Sequence, residues 1–399
     1  MSSAKERKGR GTVATLSAIS ALVGGRDNLR SVVWQPYALS LGLDMQGIGG
    51  LESTMDFSRL LVEPAFGNIS DLFGRKRLLA LRELLALGAG LLFLFARSWQ
   101  LLFVGILFTG LSMSLLSVWN AVIAESSEPS RLGFVYSIVG TCYTAAGLVG
   151  ALGAGYIADT FGFSWVYIAA TTLAALSLML VAGRLPETKN SSGTKLNWSR
   201  AVGALTGVLH PPRYIWGFYL VMSLDLFAFG MGVRLLNGML TKSYGYAPHQ
   251  LGLLAAAMMG GMALAQAPLG RFVDRIGYAK YLASSQFIAS VMLAMLLVSK
   301  DFPVVFVAFL ILGVANALWM PAEQAWIAKN VDPSERAQAI ARFSTFRGMM
   351  SFPAPFVGGI LFDLYGFDVP MAMNLIIAFV DGVIILLLVR DNALQEAQK

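Results

Sequence analysis

Four charged side chains interrupt an otherwise apolar stretch between Glu52 and Arg77: Glu52, Asp56, Arg59 and Glu63, spaced i, i+4, i+7 and i+11. At ~100° per residue they fall within an arc of roughly 60°, so a helix carries them as one stripe along one face. The stripe climbs about 16 Å, half the hydrocarbon thickness of a bilayer. In lipid each mid-depth charge costs at least ~2.5–3.5 kcal/mol, so such a stripe has to face water, a partner charge or a solute route. Sequestered carboxyls beside arginines are side chains that can take up and release protons. Asp27, Asp56, Arg30 and Arg59 make one such group, with Glu52 on the same stripe and Glu63, beside Pro64, as its exit. The competing reading is a set of internal ion pairs, Asp56–Arg59 and Arg59–Glu63, that neutralise each other.

The elements that must hold these residues are membrane spans. The 399 residues are 56% hydrophobic and 13% charged, with a mean hydropathy of +0.65, whereas about a quarter of a soluble domain is charged. Apolar runs near the ~20 residues needed to cross a bilayer recur along the chain. Twelve spans are read, the first over 13–40 and the last over 369–389. No cleavable signal peptide is expected, because Met1–Gly11 is short and basic and no small-residue cleavage site follows it. Leu185–Pro212, with its Pro, Ser, Gly, Asn and Lys, reads as a linker, and Trp198–Leu209 within it as an amphipathic helix on the membrane surface. The lone Cys142 excludes an internal disulfide. His210 and His249 both fall in connections, so neither a metal site, a cofactor nor a nucleophile–histidine pair is expected.

A net charge of +7 does not signal nucleic acid, because the basic residues are spread over short connections on one side. With both termini cytoplasmic, 22 of the 30 Lys and Arg lie on the cytoplasmic side, three on the other and five within spans. That imbalance sets the expected orientation in the cell membrane. Arg82 and Glu83 are read as lying near the cytoplasmic end of span three, snorkelling or paired.

The chain also repeats itself. Gly67, Asp71 and Gly74 recur as Gly270, Asp274 and Gly277 at an offset of 203, and Pro129, Asp159 and Gly162-Phe163 recur as Pro333, Asp363 and Gly366-Phe367 at 204. Two six-span halves in the same orientation follow: 1–184 and 213–399, joined by 185–212. The turn Gly67-Asn68-Ile69-Ser70-Asp71-Leu72-Phe73-Gly74-Arg75-Lys76-Arg77 resembles the signature loop of the major facilitator superfamily, G-x-x-x-D-[RK]-x-G-R-[RK], departing from it at Leu72. The second copy keeps Asp274-Arg275 but lacks the trailing Arg. The resemblance covers the whole chain. It implies an all-α membrane protein of twelve helices in two pseudo-symmetric bundles, with Gly67, Asp71, Gly74, Arg75 and Lys76 as a gating loop. Two exporter markers of that family are incomplete. The position four before Gly110 is Ile106 rather than Arg, and the span-five glycines Gly140, Gly147, Gly150, Gly153 and Gly155 lack the accompanying proline.

The second half does not repeat the stripe: Glu52, Asp56, Arg59 and Glu63 correspond to Ala255, Met259, Met262 and Gln266. A fold whose own second copy lacks these charges does not need them, which favours function. Arg26 and Arg30, in a span one that can loosen at Gly24-Gly25, join Asp225, Asn237, Asn316, Arg347 and the aromatics Trp34, Tyr37, Tyr143 and Trp319 as candidate solute contacts. Glu323 and Arg347, at similar depth on consecutive spans, are expected to pair. The leading expectation is a monomeric, proton-coupled secondary transporter of a small organic solute working by alternating access. Seven acids within spans against five arginines lean toward a cationic or amphipathic solute, with efflux as one direction. Arginines converging on one site favour an organic anion instead, and a carboxylate cage a metal cation. A sensor or assembly partner on the same fold is the non-transporting alternative.

Overall fold

The structure, a computed structural model, describes residues 2–127, 131–188, 213–270, 276–331 and 336–391. Residues 189–212 of the expected linker, including the surface helix expected at Trp198–Leu209, therefore lie outside the described residues. Among the described residues, twelve helical spans follow in order. The first six are α1 (Ser2–Ser40), α2 (Met45–Phe73), α3 (Arg75–Leu94), α4 (Trp99–Glu125), α5 (Leu132–Phe161) and α6 (Phe163–Arg184). The second six are α7 (Trp216–Tyr244), α8 (Pro248–Gly270), α9 (Tyr278–Val298), α10 (Phe302–Asn330), α11 (Arg336–Ser351 and Ala354–Tyr365) and α12 (Asp368–Leu388). Among the described residues seven of these, α4–α7, α9, α10 and α12, are long and apolar enough to cross a bilayer by hydropathy alone. The all-helical outcome is what lipid demands, since a helix satisfies its backbone groups within one segment.

The chain forms two compact units. Unit 1 comprises Met1–Gly42, Thr54–Ala201 and Ala247–Gly252; unit 2 comprises Leu43–Ser53, Val202–Tyr246 and Leu253–Lys399. In unit 1, α1 packs chiefly on α5 and α6, and α3 on α4 and α6. Unit 2 repeats the scheme six helices later: α7 on α11 and α12, α9 on α10 and α12. Each unit has its own apolar core, one around Leu16, Ile19, Leu79 and Leu115, the other around Phe218, Trp326, Phe343 and Phe346.

Carboxylates at the helix starts repeat too. The first N–H groups of a helix lack partners and carry positive partial charge, so a carboxylate there both bonds and neutralises. Gly74 takes φ +89° at the turn into α3, and Glu187 accepts from the backbone N–H of Arg75 at 2.7 Å and of Lys76 at 3.2 Å. In the second copy Gly277 takes φ +99° and Asp391 accepts from Ala279 N at 2.9 Å. Asp363 accepts from Gln46 N at 2.7 Å at the start of α2, and Asp159 from His249 N at 3.1 Å at the start of α8. Replacing Glu187 by alanine is expected to cost about 1 kcal/mol. Thermal melting of the detergent-solubilised protein checks this.

Three spans read as continuous are interrupted. α4 has a turn at Ser114-Leu115. α7 passes through a 3-10 turn at Val233–Leu235, where a side chain on Gly232 would meet the Asn374 amide at 2.4 Å. α11 breaks at Phe352-Pro353, since proline lacks the N–H and its ring crowds the preceding turn. The expected loosening at Gly24-Gly25 does not occur. α1 is helical throughout Ser2–Ser40, and those glycines serve close packing instead. A Cβ on Gly24 would meet the Tyr143 carbonyl oxygen at 2.1 Å, and one on Gly150 the Gly25 carbonyl oxygen at 2.5 Å. The span-five glycines thus divide. Gly147, Gly150 and Gly155 are contact positions, while Gly140 and Gly153 face nothing within 4 Å.

Candidate functional site

Close approach of α1 to α5 sets Arg26, Asp27 and Arg30 inside unit 1. Arg26 donates through Nη1 to Glu83 Oε2 at 2.7 Å and through Nε to Asp27 Oδ1 at 2.9 Å. Arg82 Nη1 stands 3.7 Å from Glu83 Oε1, and its guanidinium lies 5.6 Å from the Trp119 ring centre. Arg30 donates to Thr109 Oγ1 at 2.8 Å, and Ser112 Oγ to the Arg82 carbonyl at 3.0 Å. Of the two expected fates of Arg82 and Glu83, snorkelling or pairing, the structure shows pairing. Glu83 is 1% exposed, a counter-ion shared by two arginines. Arg26, Asp27, Arg30 and Arg82 line a cavity of about 40 Å³, room for a few waters only. Three guanidiniums against two carboxylates leave this centre net positive.

Unit 2 has a larger and oppositely charged centre. A cavity of about 380 Å³ is lined by Asp225 and Phe229 of α7, Gln286 and Met292 of α9, Asn316, Trp319 and Glu323 of α10, Arg347 of α11 and Asn374 of α12. Arg347 Nη1 bonds Glu323 Oε1 at 2.6 Å, the expected pair, and Arg347 Nη2 stands 3.7 Å from Asp225 Oδ2. Trp319 Nε1 donates to Glu323 Oε2 at 2.9 Å. Gln286 Nε2 donates to Asp225 Oδ1 at 2.6 Å and to Asp381 Oδ2 at 3.1 Å. The interruption of α7 at Gly232 and that of α11 at Pro353 adjoin: a Cβ on Gly230 would lie 3.1 Å from Ala354 Cβ. Broken helices around a polar cavity are where transporters of repeated architecture bind solutes.

The predicted residues thus separate into groups. Arg26, Asp27 and Arg30 meet in unit 1, and Asp225, Asn316, Trp319 and Arg347 in unit 2. Of the stripe on α2, Glu52 belongs to unit 2, and Asp56 and Arg59 to unit 1. Glu52, 4% exposed, forms an ion pair with Arg234 of α7 at 2.6 Å within unit 2. Asp56 and Arg59 are half-buried on the unit 1 part of α2 and line neither cavity. The side chains of Glu63, Gly67 and Asp71 lie outside the described residues. Trp34 is buried, and Tyr37 donates to the Ala96 carbonyl at 2.6 Å with its ring against Phe163 and Tyr167. Tyr143 is over a third exposed, and Asn237 is half-buried on α7. At the start of α3, Arg75 pairs with Glu125 at 3.2 Å, and Lys76 contributes a backbone N–H that meets Glu187. Sequence reasoning reads Asp381 as a mid-depth acid of the second half and Glu83 as snorkelling or paired, and places neither Gln286 nor Asn374 in a site. Gln286 and Asn374 carry the signal of a polar side chain in mid-span, but a neutral amide stands out less in an apolar helix than a charge does.

Comparison with known proteins agrees with this architecture. The family model described as Major Facilitator Superfamily matches residues 15–239 and 224–399. The chain is 26% identical over 315 residues to the multidrug resistance protein MdtG of Citrobacter koseri, covering 77% of this chain and 76% of that protein. It is likewise 26% identical over 313 residues to MdtG of Proteus mirabilis, covering 77% of each. Among solved structures, the nucleoside transporter NupG superposes with a TM-score of 0.81 at 14% identity, over 95% of this chain and 100% of that one. A D-xylose–proton symporter does so at 0.73 and 14%, over 96% and 98%. The human organic anion transporter MFSD10 gives 0.68 and 16%, over 94% and 99%. The chain is a multi-pass membrane protein belonging to the Major Facilitator Superfamily, and a secondary transporter.

Proposed function

We propose that the protein exports small cationic or amphipathic organic solutes in exchange for protons, as a monomer with both termini in the cytoplasm. The observation that carries this reading is the unit 2 cavity. Its volume of about 380 Å³ falls within the ~300–1,000 Å³ range of small-molecule sites. Two carboxylates, Asp225 and Glu323, face one guanidinium, Arg347, between apolar walls of Phe229, Met292, Leu293 and Trp319. A site with that balance suits a positive charge on an apolar body. The relatives named for multidrug resistance support export, the symporter named for a proton supports coupling, and the Lys and Arg distribution supports the orientation.

The net positive centre of unit 1 favours a second reading, an organic anion, with MFSD10 as the structural neighbour bearing that name. In inside-out membrane vesicles with an acidified lumen, tetraphenylphosphonium is expected to accumulate several-fold over vesicles whose pH gradient has been collapsed. Accumulation of benzoate in its place transfers the assignment to the anion reading. If neither probe moves, the transport reading is wrong in its substrate class.

A further inference from the structure

Asp381 lies on α12 and is fully buried. Of its two carboxyl oxygens, Oδ2 accepts from Gln286 Nε2 at 3.1 Å, while Oδ1 has no hydrogen-bond partner. Asp381 is not among the cavity-lining residues, whereas Gln286 and Asp225 are. It sits behind the Gln286 amide, whose two hydrogens reach one carboxyl in the cavity wall and one in the protein interior. Asn374, two helical turns earlier on α12 and 2% exposed, lines the cavity and keeps Nδ2 without a partner.

The charged groups around this pair differ in what they can offer. From α7 comes Asp225, of the same sign. From α9 the facing group is the neutral Gln286. Arg347 of α11 is the cation of the cavity, but it is bound to Glu323 of α10 at 2.6 Å and reaches toward Asp225, not Asp381. Among the described residues, then, no cation stands against Asp381. An ionised carboxylate there would be an unpaired buried charge beside a second carboxylate, whereas a carboxylic acid leaves only a hydroxyl to satisfy, a far smaller penalty.

We infer that Asp381 carries the coupling proton of this transporter, with Asp225 as the carboxylate that meets the solute and Gln286 as the link between them. The inference rests on the proton-coupled reading above. When the cationic solute binds at Asp225, the Asp381 O–H bond breaks, the proton leaves to water, and the carboxylate left behind is balanced by the solute's charge. After the solute departs, a proton from the other side of the membrane rebinds Asp381.

The test uses full-length protein in liposomes with tetraphenylphosphonium as probe. Two rates are compared, accumulation driven by a pH gradient and exchange of labelled for unlabelled probe, which needs no net proton movement. In Asp381→Asn the ratio of driven accumulation to exchange is expected to fall by about tenfold or more, a split that a merely misfolded protein does not produce. Asp225→Asn is expected to lower both rates. A second readout needs no variant: infrared difference spectra of the wild-type protein are expected to lose a protonated-carboxyl band when the probe binds. Wild-type coupling with an unchanged ratio in Asp381→Asn, or wild-type coupling with no such band, overturns the assignment to Asp381 alone. A wild-type protein that moves no protons with the probe overturns both the assignment and the coupled reading.

Discussion

Glu83→Ala is expected to destabilise unit 1 by about 3 kcal/mol, because it removes one partner from a buried ion pair and leaves the other charge unsatisfied. Glu83 meets Arg26 at 2.7 Å and Arg82 at 3.7 Å, so its loss leaves three guanidiniums around the single carboxylate of Asp27. Arg26 keeps its 2.9 Å bond to Asp27, which holds the loss below the upper end of what breaking such pairs costs. Glu83→Gln separates the two contributions: it retains an acceptor for Arg26 but not the charge, so it should recover part of the loss. Melting temperatures of the three proteins in detergent decide the matter. Equal stability of Glu83→Ala and wild type would show that water enters the site and replaces the carboxylate.

Gly24→Leu is the second large effect. Its Cβ would stand 2.1 Å from the backbone carbonyl oxygen of Tyr143, and neither helix can retract a main-chain atom without moving as a whole. Overpacking typically costs ~1–3 kcal/mol, and a clash with backbone belongs at or above the top of that range. Separation of α1 from α5 also carries Arg26 and Asp27 away from Glu83 on α3, so transport should fall further than stability does. Gly153→Leu on α5, where nothing lies within 4 Å, is the matched control and should melt as the wild type does. Comparable losses in both variants would mean that the closeness of α1 and α5 is not what matters.

Much of the fold could be read from hydropathy and the repeat. Twelve spans and a twofold plan follow from runs of apolar residues and from Gly74 and Gly277 holding one offset. The interruptions were less legible. Pro353 is visible as a breaker, but Gly232 and Ser114-Leu115 yield because of what packs against them, and packing partners are not local in sequence. The sites divided along the same line. Glu323 and Arg347 were matched because equal depth on consecutive helices brings them together. Glu52 was assigned to a stripe because helical periodicity is a property of one segment, whereas its partner, Arg234, comes from another helix in the other half of the chain. Asp381 is legible as one of the seven acids within spans, but a single acid in an apolar helix says little about its role until Gln286 is seen to bond both it and Asp225.

Four helix starts are held by an acidic side chain brought from elsewhere in the chain, and the four form two related pairs: Glu187 with Asp391, and Asp159 with Asp363. These joints recur in both copies, yet the chemistry each copy encloses differs, arginine-rich in one and acid-rich in the other. Such a plan separates inheritance of shape from inheritance of selectivity. Solute preference can therefore be re-engineered by exchanging interior polar residues in one lobe, with the joints as fixed points against which the altered lobe still assembles.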